Sequence, residues 1–288
     1  MLSTFFKTKP IIDESSKAWI FDTFAWCIDQ LDGDFFYHNS ELILPNNHFY
    51  PGSVSSVEEM AATIFTNTTK YSGLTKWPLK LVNRDNFIQK PMPPLKFHNR
   101  LRGENANISM IESAQLTNTV NYKVEGQAIT PTIDITFHSS QLNQVQDLIA
   151  YLIQVQANIL VGQHQGLALS VSAPGGKELL PQTIDLVACF MGFGVIFANT
   201  AYQFKGGCGS CNIQSLNRQA ALPELETVYA LALFCVLKAS DIKQVKKSLK
   251  THLYKSFRQA HKEITLYLQH SSNPKHAKLA MSINKAAL

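Results

Sequence analysis

Asp185-Leu-Val-Ala-Cys-Phe-Met-Gly-Phe-Gly-Val-Ile-Phe197 is the stretch on which the fold turns. From Leu186 to Ala198 it carries no charge. As a helix this run is too short to cross about 30 Å of hydrocarbon, so it reads as a core helix apolar on every side. Such a helix needs apolar neighbours all round it. Gly192 and Gly194 inside it suit close helix packing, because the chain has no G-x-G-x-x-G or G-x-x-x-x-G-K-[ST] phosphate loop.

Working outward, the neighbours are found at helical spacing. Residues 17–31 align Trp19, Thr23, Trp26 and Gln30 in one row and Ile20, Phe24, Cys27 and Leu31 in the next, an amphipathic aromatic helix. Ser55-Ser56-Val57-Glu58-Glu59 opens a second helix, which runs to about Lys70, with a serine to cap it and glutamates in its first turn. Further helices are expected at about 141–162, 182–201, 222–239 and 241–269. Between these sets, Glu41–Leu44 has β character and residues 74–103 read as a long proline-rich and basic connection. Residues 107–138 carry three or four short β-like runs, of which Thr132–Phe137 alternates most clearly. Helices, a small sheet, then helices predict an α+β, mainly helical fold. The main internal boundary falls near residue 103, dividing a helical part (1–103) from an α+β part (104–288), which can also close into one compact domain.

Composition narrows the function classes. The 288 residues can bury a core without covalent staples. The five cysteines form an odd set, and Cys27, Cys189 and Cys235 sit in apolar runs where a thiol acts as a small hydrophobe. A reducing, cytoplasmic setting is therefore expected. Met1–Lys7 lacks the basic and then apolar pattern of a secretory signal. The net charge of +5 is unevenly placed: residues 238–288 hold eleven Lys/Arg against two Asp/Glu. No G-x-S-x-G elbow is present, which removes the usual serine-hydrolase reading.

The segment from Thr132 to Ala201 resembles the core of a bacterial family of uncharacterised metallopeptidase-like (zincin-like) proteins. In that family one helix carries H-E-x-x-H and the next opens with E-x-x-x-D-L before a glycine-containing apolar run. Asp185–Phe197 is similar to the second of these helices, Leu222–Phe234 resembles the helix after it, and Leu42–Pro51 resembles an N-terminal element. The chemistry of the motif needs two imidazoles on one helix face, a carboxylate from the next helix and a glutamate to activate water. The resemblance places H-E-x-x-H on Val155-Gln156-Ala157-Asn158-Ile159 and the glutamate on Pro181, and retains Asp185. Both imidazoles, the general base and the third ligand are thus replaced, and His164 with Glu178 nearby supplies one imidazole only. The resemblance implies a pseudoenzyme with neither metal nor cofactor, whose former cleft is filled by apolar packing. Asp185 is then either a relic of the metal surroundings or a first-turn residue favoured by the helix dipole.

Two other features carry alternatives. Cys208-Gly-Ser-Cys211 is a C-x-x-C in a glycine-rich loop, open to three readings: incidental thiols, half of a metal site that a second copy could complete, or a redox pair. The basic helix expected over 241–269 presents Lys243, Lys247, Lys250 and Arg258 beside an apolar stripe of Ile242, Val245, Leu249, Leu253, Phe257 and Ile264. It reads either as a packed terminal helix with a solvated basic face or as a surface for anionic partners, with no recognised nucleic-acid motif accompanying the charge. A protein partner or a second copy of the chain fits these features better than nucleic acid. The expectation is a binding protein without catalysis.

Overall fold

In the computed structural model, which describes residues 10–52, 56–84, 95–97, 100–110, 132–166, 173–201, 218–271, 273, 276 and 279, the apolar 185–197 stretch lies at the centre. It is not the single helix expected. Helix α5 (Leu180–Ala188) passes through a π-helical turn at Cys189–Phe193 into α6 (Gly194–Asn199). The break is Gly192, at φ 100°, in the region that favours glycine. Its carbonyl accepts from Ile43 N at 3.0 Å, and a Cβ there would stand 2.1 Å from the Glu41 carbonyl oxygen. Glu41–Leu44 is therefore a segment laid against the kink that, among the described residues, belongs to neither helix nor strand. Gly194 has the packing role anticipated, since a Cβ there would meet Leu231 at 3.0–3.2 Å.

The surrounding helices form where their apolar rows demand. Helix α1 (Glu14–Gln30) starts on Asp13, whose side chain accepts from Ser16 N, and buries Ile20, Phe21, Phe24 and Cys27. A short α2 (Gly33–His38), not evident from periodicity, follows an aspartate turn at Asp32. Helix α3 (Val57–Ser72) is capped by Ser56, whose Oγ accepts from Glu59 N at 3.1 Å. Arg102 fastens the chain to the α1–α2 corner: fully buried, it donates from Nε to the Leu31 carbonyl at 3.1 Å and lies over the Phe35 and Phe190 rings. Burial lowers its pKa to about 10, opposed by the charge of Asp32.

The β content departs from expectation in its pairing. Strand β1 (Leu79–Asn83), inside the presumed connection, pairs in parallel with β4 (Ile133–Phe137), placing Leu81 opposite Ile135. Strands β2 (Leu95–Phe97) and β3 (Ile108–Met110) make a separate antiparallel pair. Residues 121–124, expected as β, lie outside the described residues. A 3₁₀ turn at Ser139–Asn143 leads into α4 (Val145–Gly166). The molecule is α+β and mainly helical, as expected. One apolar core runs from Ile12 to Leu279 across both halves of the chain.

Helix α7 (Glu224–Leu237) is buried at every position from Thr227 to Leu237. The basic segment is two helices, α8 (Ile242–Ser248) and α9 (Thr251–His270). Nothing in Ser248-Leu249-Lys250 signals a stop; the corner is made by buried Asn199, whose Oδ1 accepts from Lys250 N and whose Nδ2 donates to the Ser248 carbonyl, both at 2.9 Å. By length and composition Val145–Gly162 and Leu180–Asn199 could each cross a membrane; here both pack largely inside, with 56% and 83% of their residues buried.

Candidate functional site

The sequence-selected positions on α4 and α5 do not converge on one point. Val155 and Pro181 line a shallow depression of about 420 Å³ with Asn158, Leu180, Ile184 and the chain at Gln219–Ala221. The apolar filling expected there is thus incomplete. Ile159 is buried in the core. Gln156 turns the other way, towards α3: its Oε1 lies 2.8 Å from Ser72 Oγ, and its Nε2 donates to Thr68 Oγ1 at 3.2 Å and Thr69 Oγ1 at 3.4 Å. Successive residues of a helix point about 100° apart, which is why Val155 and Gln156 serve different surfaces. A fully buried neutral amide with partners on both its ends is tolerated where a carboxylate would carry a large desolvation penalty.

Asp185 is the chemical centre of the region, in a role the sequence did not disclose. It sits at the sixth position of α5, past the first turn where the helix dipole would favour it, and is wholly buried. Its Oδ2 accepts from Arg218 Nη1 at 3.0 Å, Ala221 N at 2.9 Å and Leu222 N at 3.0 Å, while Oδ1 accepts from Gln154 Nε2 at 2.8 Å. Arg218 also donates from Nη2 to the Phe197 carbonyl at 2.9 Å and to Thr200 Oγ1 at 3.1 Å, with its guanidinium over the Phe197 ring. Burial pulls the Arg218 pKa down and the Asp185 charge pulls it back. One carboxylate therefore fixes the chain's approach to α7 and, through Arg218, ties it to the end of α6. Arg218 was not anticipated, because nothing local marks a lone arginine as the partner of an aspartate 33 residues earlier.

Cys208 and Cys211 lie outside the described residues. Cys27, Cys189 and Cys235 are buried and free, and burial raises each thiol well above its ordinary value, Cys235 to about 12. Among the described residues no three His, Cys, Asp or Glu side chains gather closely enough to hold a metal ion. Of the basic residues, Lys243 and Arg258 share a groove, whereas Lys247 and Lys250 stand outside it. Ile242 leaves the predicted apolar stripe and faces that groove, more than a third exposed. Comparison of the chain with protein-family models, characterised proteins and solved structures gives no match.

Proposed function

We propose that the chain is a non-catalytic, zincin-like scaffold, a pseudoenzyme that works by binding, with the α4–α5 depression as the remnant of a catalytic cleft. The observation that carries this reading is Asp185, whose two oxygens are occupied by four donors of the fold itself. A carboxylate so engaged, with three donors on Oδ2 and one on Oδ1, is spent on holding the fold, and a working zinc site needs several ligands with an open position. Val155, Leu180, Pro181 and Ile184 offer apolar contact and Asn158 offers an amide, a lining suited to an uncharged group.

Metal analysis of the purified protein together with a casein-cleavage assay tests the proposal. The expected result is substoichiometric zinc and no cleavage. Stoichiometric zinc that is lost on Asp185→Asn substitution in a folded variant would overturn it.

A further inference from the structure

Helix α9 and the start of α8 bound a groove of about 1230 Å³ that reaches Lys17 of α1. It holds Lys243, Lys255, Arg258 and Lys262, all exposed, and among the described residues none of the four has a carboxylate partner. The carboxylate of Glu263 at the same groove is engaged by Lys17 Nζ at 2.6 Å and Tyr229 Oη at 3.2 Å. A surface that leaves four cations together and uncompensated raises the local concentration of anions.

The groove is also apolar. Ile242 and Leu266 are 36% and 50% exposed, and Tyr254 lies with them. A phosphate backbone would satisfy the cations and leave these side chains wet. A bilayer would meet them only if the surface protruded, and it is concave. A peptide that alternates carboxylates with apolar side chains satisfies both. On α9, Lys255, Arg258 and Lys262 rise by about 4.5 and about 6 Å along the axis. Same-side residues of an extended peptide repeat at about 6.6 Å, close to the interval between Arg258 and Lys262.

We propose that this groove docks an acidic, amphipathic peptide segment of a partner protein, held by Arg258 and the three lysines and seated on Ile242, Tyr254 and Leu266. The proposal stands apart from the reading of the α4–α5 depression, because it uses none of those residues.

Fluorescence anisotropy on the full chain tests it, with a labelled peptide of alternating Asp/Glu and Leu/Phe, a labelled oligothymidylate and phosphatidylserine vesicles as the three probes. The expected result is micromolar affinity for the peptide above that for the other two, falling about tenfold or more in Arg258→Glu/Lys262→Glu, where like charges face the peptide. Leu266→Ser should weaken it several-fold, and Lys177→Glu/Lys247→Glu, the same charge change outside the groove, should leave it unaltered. Absence of peptide binding, stronger binding to the oligonucleotide or vesicles, equal losses in the two charge-reversal variants, or indifference to Leu266→Ser would each overturn the proposal.

Discussion

Arg218 Nη1 stands 3.0 Å from Asp185 Oδ2, with the two side chains 2% and 0% exposed. A buried pair whose partner is removed leaves an uncompensated charge in the core, so Asp185→Ala should lower the unfolding free energy by about 3–5 kcal/mol in a urea titration. Replacing both members by apolar residues, Asp185→Leu/Arg218→Met, should recover only part of that loss. Ala221 N and Leu222 N would still lack an acceptor, at about 1–3 kcal/mol for each amide that stays dry. Full recovery in the double variant would mean that the backbone amides find water and that Asp185 acts only through its charge.

Gly192 makes the α5–α6 kink. At φ 100°, with the Glu41 carbonyl oxygen where a Cβ would stand, Gly192→Ala should cost at least about 1–3 kcal/mol from backbone strain alone. Gly162→Ala, in open space on α4, should be neutral or slightly stabilising by helix propensity. Thermal denaturation of the two variants side by side checks the contrast.

The α8–α9 corner depends on Asn199. Asn199→Ala removes the acceptor of Lys250 N and the donor to the Ser248 carbonyl, and should destabilise by about 1–3 kcal/mol. Hydrogen exchange at the Lys250 amide should accelerate more than exchange within α7.

Asp13 caps α1 and should give that helix an acid-dependent contribution. Hydrogen bonds from Ser15 and Ser16 lower its pKa from 3.8 to about 2. A depressed carboxylate stabilises the fold above its unfolded pKa, and that stability is lost as pH falls through the folded value. The stability gap between the native chain and Asp13→Ala, constant near neutrality, should therefore narrow between pH 4 and pH 2. A gap that persists unchanged at pH 2 would mean that the carboxylate caps equally well when protonated.

How far the sequence disclosed this molecule depended on whether each feature was local. Ser56 with its following glutamates, the aromatic rows of α1 and the apolar α7 all act within a few residues, and each was legible. The β1–β4 pairing was not, because Leu79–Asn83 meets Ile133–Phe137 across more than fifty residues and has no turn signal to announce it. The break between α8 and α9 was hidden for a similar reason: its cause, Asn199, lies on another helix. At the candidate site the sequence singled out Val155, Gln156, Ile159, Pro181 and Asp185. That Gln156 would serve α3, and Asp185 would serve Arg218, required the packing to be seen.

On the function proposed above, α4 and α5 keep a zincin-like frame from which the ligands have been lost. Calorimetric titration of zinc is made into the native chain and into Val155→His/Asn158→His/Pro181→Glu, three positions that line the one depression, with folding of the variant verified by circular dichroism. The expected result is no stoichiometric binding by the native chain and one zinc bound by the variant. A folded variant that binds none, or a native chain that binds one, would contradict it.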